Sequence, residues 1–299
     1  MDTLINTLET TNFEIKENVS FKTLTTYKTG GICKYLVSPK NVESLIELIK
    51  ILKNSNINYK VLGNGSNVLV SDDTFNGVVI KLDKLNDLEF NGTTVTVGAG
   101  HSLISLSLTC SNKGLSGLEW ASGIPGTVGG AVYMNAGAYL KSVADSLIEI
   151  KALDNNLNVV TITNKELGFG YRKSNLMDNK FIVLSASFML EDGEKDEILK
   201  VIKDRKERRM SSQPLEYPSA GSVFRNPEGD YAGRLVEECG LKGKTIGGAQ
   251  ISEKHANFVI NKDNATSNDI KELIELAKSE VYKKFNIELK VEQEFFNWE

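Results

Sequence analysis

Two hydrophobic rhythms alternate along this chain, one at helical spacing and one at the two-residue spacing of strands. Asn41–Leu52 sets Val42, Leu45, Ile46, Leu48 and Ile49 on one face and predicts a helix. Tyr59–Leu62 and Val68–Val70 read as short buried strands on either side of Gly63-Asn64-Gly65-Ser66-Asn67. Val78–Leu82 is a further strand. Leu88–Phe90 and Thr93–Val97 flank Asn91-Gly92, the residue pair of a tight hairpin. A helix is predicted near Ser102–Lys113, a strand pair at Ser146–Leu153 and Asn158–Thr163, and a strand at Phe181–Leu190.

From Glu194 to Ser211 the spacing is helical again, until Pro214 and Pro218 interrupt the chain. Tyr231–Cys239 reads as a helix stopped by Gly240, and Asn257–Asn261 as a strand. Ser267–Phe285 is a helix with Ile270, Leu273, Ile274, Ala277 and Val281 on one face and Thr266 or Ser267 as its cap. Ile287–Phe296 alternates as a last strand, with Ile287, Leu289 and Val291 on one side and Glu288, Lys290, Glu292 and Glu294 on the other. Residues Asp2–Thr10 suggest a short N-terminal helix. The pattern contains no repeat. It predicts two domains, a hairpin-rich α+β domain over residues 1–192 and a smaller α/β domain over 193–299.

One stretch breaks both rhythms. Between Gly114 and Gly137 lie seven of the 25 glycines and a single charge, Glu119. Glycine inside a regular element costs roughly 0.5–1 kcal/mol relative to alanine, so the segment Leu115–Tyr139 is expected to be neither an ordinary helix nor a strand. It is expected to offer bare N–H groups to a large, flat, partly anionic ligand. A glycine-rich packing loop accounts for the composition equally well. The Gly63–Asn67 turn also leaves two readings: successive N–H groups forming an anion nest, or a tight turn between elements. It is neither a phosphate-binding loop closed by Gly-Lys-Ser/Thr nor a dinucleotide fingerprint opening a helix.

Composition narrows the classes. A chain of 299 residues with net charge −4 can bury a good core and does not favour nucleic acid as a partner. No apolar run approaches the ~20 residues of a membrane span, and Met1–Thr10 lacks the basic start of a secretory signal. Cys33, Cys110 and Cys239 are odd in number and far apart, which points to a reducing cytoplasm. Two histidines, His101 and His255, and no paired cysteines make a metal site an unexpected feature. No obligatory protein partner is expected.

The glycine stretch, the GNGSN turn, Tyr171-Arg172-Lys173-Ser174, Ser219–Pro227 (SAGSVFRNP) and the GGAQ…His-Ala-Asn-Phe run occur in one order. In these motifs, from about Phe21 to Phe296, the chain resembles the UDP-N-acetylenolpyruvoylglucosamine reductase family. The resemblance implies an FAD-binding domain of the vanillyl-alcohol oxidase type followed by a smaller substrate-binding domain. It implies non-covalent FAD, NADPH as reductant, and reduction of a UDP-linked enolpyruvyl amino sugar for peptidoglycan synthesis. Gly63, Asn64, Gly65, Ser66 and Asn67, with Ile124, Pro125, Gly126, Thr127, Val128, Gly129 and Gly130, would hold the FAD pyrophosphate. Ala131, Asn135 and Gly137 would line the flavin, and His101 would be structural. Only 50 positions separate Arg172 from Ser222, so the chain is similar to the short form of the family, without the extra insertion of the long form.

Three further assignments follow from the resemblance. Hydride addition to the enolpyruvyl group builds negative charge that must be stabilised, and its neighbouring carbon must receive a proton. Arg172 would fork onto the carboxylate, Ser222 would donate the proton, and Glu292 would be the third catalytic group. By residue type alone, Arg172 reads as a surface arginine and Ser222 as a turn serine bonding its own backbone; only the resemblance raises them above their neighbours. The alternation of the last strand does not choose between Glu292 and Glu294. Leu289–Glu292 lines up with the family's Leu-x-Pro-Glu pattern, but Val291 stands in place of the proline, and Glu294 stands where a basic residue is common. Tyr171, Arg225, Asn226, Lys242 and Gln250 would contact substrate. The competing expectation is an oxidase of the same fold acting on a sugar or alcohol with oxygen.

Overall fold

The computed structural model describes residues 12–179 and 181–298. The helix expected at Asp2–Thr10 lies outside them. Packing divides the chain into two units that are not consecutive blocks. The first takes the described residues up to Glu17, Tyr35–Asn64 and Gly77–Glu207. The second takes Asn18–Lys34, Gly65–Asn76 and the chain from Arg208 onward.

In the first unit, helix α1, Val42–Asn54, starts where its sequence says it should. Asn41 Oδ1 accepts from the Ser44 N–H at 2.8 Å, and Ser44 Oγ accepts from the Asn41 N–H at 3.1 Å. Leu45, Leu48, Ile49 and Leu52 are fully buried on its inner face. A five-stranded antiparallel sheet runs in the order Val159–Thr163, Leu147–Leu153, Ile182–Met189, Thr94–Gly98, Leu88–Asn91. Its Asn91-Gly92 hairpin pairs Asn91 with Thr94, and Gly92 takes φ +58°, the left-handed conformation this turn requires. The strand Tyr59–Val61 runs parallel to Val78–Ile80, with Tyr59 opposite Val78 and Val61 opposite Ile80. Helix α2, Leu103–Asn112, is capped by Ser102. It buries Leu103 and Leu106 in the same apolar cluster as Val95, Val97, Trp120 and Ile150.

The glycine-rich stretch is corrected here. It is not free of regular structure: Glu119–Gly123 is a 3-10 turn and Val128–Met134 is an α-helix, α3, capped by Thr127. The helix survives its two glycines because Val128, Ala131 and Val132 bury one face. Gly129 is there for closeness. A Cβ built on it would lie 3.0 Å from the Ala99 Cβ, and its N–H donates to Ala99 O at 2.8 Å. Asn135, at φ +43°, ends the helix in the left-handed region. Helix α4 spans Lys195–Ser212.

The second unit has its own core of Tyr27, Leu69, Val223, Phe224, Leu235, Ile270, Leu273 and their neighbours. Helices α5, Ala232–Glu238, and α6, Ser267–Phe285, accompany a three-stranded antiparallel sheet, Thr245–Ile246, Ala249–Ile251, Val259–Asn261. The start of α6 is held twice. Thr266 and Asp269 form a capping box, and the Asp72 carboxylate accepts from the Ser267 and Asn268 N–H groups at 3.0 and 3.1 Å.

The expected strand Ile287–Phe296 is also corrected. Only Glu294–Phe296 forms a strand, parallel to Val68–Val70. Val291 makes a single antiparallel bridge to Phe224. The segment changes partner and direction between these points, so no continuous ladder forms. Leu289 is buried between the exposed Glu288 and Lys290, but Val291, Glu292 and Glu294 are all half-buried and Phe295 is exposed, so the expected alternation holds only as far as Lys290. No helix among the described residues is long and apolar enough to cross a membrane.

Candidate active site

Ser222 is half-buried and follows Gly221 in a loop with no regular structure of its own. A loop lacking a ladder must satisfy its backbone elsewhere, and here it does so on both edges. On one edge, Arg225 N donates to Lys290 O at 2.9 Å and Glu292 N donates to Val223 O at 2.8 Å. On the other, Val223 N donates to Asn257 O at 2.9 Å. The buried Asn257 side chain clamps the next residue, accepting from Phe224 N with Oδ1 and donating to Phe224 O with Nδ2, both at 2.9 Å. Before the loop, Gln293 Nε2 donates to Ala220 O at 3.2 Å, and Gln293 Oε1 accepts from the buried Tyr27 hydroxyl at 3.0 Å. Burial holds the Tyr27 phenol well above its ordinary range, so this hydroxyl is a donor at any physiological pH. Asn257 is itself oriented by His255, whose Nδ1 accepts from Asn257 N at 3.2 Å. Burial, then the Lys242 charge, lowers the His255 pKa and keeps that nitrogen free to accept.

The structure therefore brings Ser222 and Glu292 into one unit, one residue from a shared backbone hydrogen bond. The carbonyl of Glu292 accepts from Asn67 Nδ2 at 3.2 Å, and Glu294 N donates to Asn67 O at 2.9 Å. Asn67, the last residue of the GNGSN turn, is thus tied to the same segment.

Arg172 belongs to the first unit. It sits at φ +54°, and its Nη2 donates to Gly137 O at 2.7 Å. Its guanidinium lies 5.1 Å from the ring centroid of the exposed Tyr171. The loop that carries it is strapped to the glycine-rich stretch. Asn135 Nδ2 donates to Gly170 O at 2.9 Å and Ser174 Oγ donates to Tyr133 O at 2.6 Å.

Backbone donors divide unequally between the two cofactor candidates. In the Ile124–Gly130 segment most are used internally: Ile124 N to Ala121 O, Gly126 N to Ile124 O, Val128 N to His101 O, Gly129 N to Ala99 O, and Gly130 N to Thr127 Oγ1. The expectation of bare N–H groups there is corrected, since α3 and the strand end at Ala99 take them. What the segment offers is a smooth surface. Gly130 is exposed, and only the Thr127 hydroxyl, at 3.3 Å, comes near a Cβ built on it. In the GNGSN turn, the N–H groups of Asn64, Gly65 and Ser66 find no acceptor among the described residues. Gly65 stands at φ +62°, where a built Cβ would lie 2.3 Å from Leu24 O. In the first unit Gly63 backs onto Thr127 Oγ1, 2.7 Å from a built Cβ, and Asn64 Nδ2 donates to Pro125 O at 3.3 Å. Three consecutive unspent amides suit a diphosphate, and the bare Gly130 surface, within the first unit, suits a flat ring.

The remaining candidates are engaged within their unit. Gln250 is buried; its Nε2 donates to Gly243 O and Thr245 Oγ1 at 3.2 Å, and its Oε1 accepts from Lys262 Nζ at 2.9 Å. Lys242 pairs with Glu237 at 2.9 Å. Asn226 Oδ1 accepts from Ala232 N at 3.1 Å, at the start of α5. Arg225 keeps a buried Nε without an acceptor among the described residues. His101 Nδ1 hydrogen-bonds Asn86 O at 3.0 Å. Sequence reasoning assigned nothing to Asn257, Gln293 or Tyr27. Asn257 lay inside a motif, but the other two carry no local signal.

Residues 33–163 match the model of an FAD binding domain, and residues 213–296 match the C-terminal domain of UDP-N-acetylenolpyruvoylglucosamine reductase. The chain is 45% identical over 282 residues to the protein of that name from Anoxybacillus flavithermus, covering 94% of this chain and 93% of that one. It is 44% identical over 290 residues to the one from Caldicellulosiruptor bescii, covering 96% and 92%. The crystal structure of the Thermus caldophilus reductase superposes with a TM-score of 0.82 at 36% identity, over 95% of this chain and 99% of that one. A glucose dehydrogenase, Phl p 4.0202, shares only the fold, with a TM-score of 0.50 at 16% identity over 64% of this chain and 44% of that one.

Proposed function

The chain belongs to the UDP-N-acetylenolpyruvoylglucosamine reductase family, and from that premise we propose how its own residues carry the family's reaction. It is an FAD-containing oxidoreductase of the vanillyl-alcohol oxidase fold type. It reduces the enolpyruvyl ether of UDP-N-acetylglucosamine to UDP-N-acetylmuramate at the expense of NADPH, in peptidoglycan precursor synthesis. Bound FAD supplies a two-electron carrier between nicotinamide and vinyl ether.

The rest is the work of side chains and amides. Residues 1–192 carry the cofactor role and 193–299 the substrate role, a functional division that cuts across the packing units. The Gly63–Asn67 turn, with its open amides, and the Ile124–Gly130 segment would hold the diphosphate of FAD, and Ala131, Asn135 and Gly137 would line its flavin. Arg172, held on Gly137 O, offers a permanent positive charge to the substrate carboxylate as charge builds on it. Ser222 gives a proton to the carbon next to the one that receives hydride. Glu292 lies on the segment bonded to the Ser222 loop and supports that transfer.

The observation that supports the pairing of Ser222 with Glu292 is the Glu292 N to Val223 O bond. It sets side by side the backbones that carry this hydroxyl and this carboxylate, 70 positions apart in sequence. Tyr171, Arg225, Asn226, Lys242 and Gln250 contact the nucleotide sugar. Lys242 and Gln250 do so by exchanging bonds they now make to Glu237 and to Gly243 and Thr245. NADPH and a UDP-linked precursor support a cytoplasmic role in wall growth and division.

The test is NADPH consumption by the purified yellow protein with and without the enolpyruvyl nucleotide. Consumption that requires the nucleotide and yields the saturated ether supports the reading. Consumption indifferent to the nucleotide, or oxygen uptake without NADPH, overturns it.

A further inference from the structure

Lys81 follows the strand Phe75–Ile80 and is half-buried in the first unit. Its Nζ donates to Gly63 O, a partner 18 positions away. Asp83 is the acidic group that acts on it, and Asp83 is itself held by Ser38 Oγ at 2.8 Å. Neither the resemblance nor the family's residue roles assign anything to Lys81.

The consequence comes from the planarity of the peptide unit. In a trans peptide the C=O of one residue and the N–H of the next point in opposite directions, and no described peptide is cis. A hydrogen bond that fixes Gly63 O therefore also fixes the direction of the Asn64 N–H, the first of the three amides that find no acceptor among the described residues. Asn64 is held a second time through its side chain, by the bond to Pro125 O. The ammonium does more than orient. A cation on the carbonyl side polarises the peptide and makes its N–H a stronger donor. It also brings a cation, one that Asp83 acts on, to an otherwise uncharged turn, since Gly63–Asn67 contains no ionisable side chain. A neutral donor would orient the peptide without the charge, and burying an ammonium is costly. A ligand with matching negative charge at this turn gives the burial a use.

We propose that Lys81 is a cofactor-anchoring residue: by holding the Gly63 carbonyl it aims the Asn64 N–H at an anionic ligand and adds the charge that selects a diphosphate-bearing flavin over a neutral one. This rests on the reading above that the Gly63–Asn67 turn takes the FAD diphosphate.

The experiment measures binding, not turnover. Full-length protein stripped of flavin is titrated with FAD and, separately, with riboflavin, which has the same ring and no phosphate, for the wild type, Lys81→Met and Lys81→Arg. Inorganic pyrophosphate is used as a competitor against FAD. Lys81→Met is expected to raise the FAD dissociation constant about ten- to a hundredfold, the range for a lost charged hydrogen bond, and to move the riboflavin constant less than twofold. Lys81→Arg, which keeps the charge, is expected to retain most of the FAD affinity. Pyrophosphate is expected to compete in the wild type and to lose that ability in Lys81→Met. Equal weakening of FAD and riboflavin would mean that Lys81 only supports the local fold, and the proposal is overturned. An unchanged FAD constant overturns it as well. If pyrophosphate does not compete even in the wild type, the diphosphate reading of the turn has failed first, a result distinct from one in which pyrophosphate competes equally with the wild type and Lys81→Met.

Discussion

Asn257 holds Phe224 by both ends of its amide. Oδ1 accepts the Phe224 N–H and Nδ2 donates to the Phe224 carbonyl, each at 2.9 Å, from a side chain that is 4% exposed. The pair does what a neighbouring β-strand would do for Phe224, and it does so two residues after Ser222, in a loop that has no ladder. The catalytic hydroxyl proposed here is thus positioned by an asparagine rather than by secondary structure.

Asn257→Leu keeps the volume and removes both bonds, leaving a buried N–H and a buried C=O unsatisfied. At about 1–3 kcal/mol for each orphaned group, the variant should lose roughly 2–6 kcal/mol of stability, read from thermal or denaturant unfolding. In whatever fraction remains folded, flavin reduction by NADPH should persist while reoxidation by the enolpyruvyl nucleotide slows. A loss of less than about 0.5 kcal/mol would show that water or the loop itself replaces the clamp.

Ser222→Ala separates the half-reactions more cleanly, because it removes one oxygen from a half-buried site. Stopped-flow reduction by NADPH should stay near the wild-type rate. Reoxidation by substrate should fall by the 10²–10⁴-fold typical of a lost general acid. Equal slowing of both steps would assign Ser222 to geometry instead. In the same assay Glu292→Gln should slow reoxidation and Glu294→Gln should not. The reverse ranking would move the working carboxylate to Glu294.

Two glycines with similar backbone angles should respond very differently to alanine. Gly92, φ +58°, has no atom within 4 Å of a built Cβ, so Gly92→Ala should cost only the left-handed penalty, about 1 kcal/mol. Gly65, φ +62°, would set its Cβ 2.3 Å from Leu24 O. Gly65→Ala must shift the backbone of the cofactor turn and should purify with much less FAD, judged by the ratio of visible to ultraviolet absorbance. Full flavin occupancy in Gly65→Ala would remove that turn from the cofactor site.

Tyr27 makes a pH prediction. Its phenol pKa is raised by burial above the ordinary value of 10.0, against the opposing pull of the Gln293 hydrogen bond. Above pH 10 the unfolded chain releases this proton while the folded chain keeps it. The folded state then binds more protons, and stability falls as pH rises from 10 toward the raised folded value. Below pH 10 the group contributes no slope. Tyr27→Phe should cost about 1 kcal/mol at neutral pH for the lost bond to Gln293 and should flatten the alkaline decline. An unaltered alkaline slope, measured by chemical denaturation between pH 9 and 11, would count against a phenol that stays protonated.

Much of this protein is written in local pattern, and for local reasons. The apolar spacing of Val42–Asn54 and Ser267–Phe285, with Asn41 and Thr266 as caps, determined both helices because a helix closes its hydrogen bonds within a few residues. Asn91-Gly92 determined its hairpin in the same way. The motifs, taken together, were enough to indicate the family and so the chemistry. Composition failed in the glycine stretch. Whether Gly129 breaks a helix or lets one approach depends on Ala99, 30 residues earlier, and no window contains both. Only the tertiary structure decided that Ile287–Phe296 would divide between two partners of opposite direction, because strand pairing joins residues at any separation. The same holds at the site: Asn257 on Phe224, Gln293 between Tyr27 and Ala220, and Lys81 on Gly63 are contacts between distant positions. A sequence records which groups can make hydrogen bonds; folding chooses their partners, by leaving buried polar atoms no water to turn to.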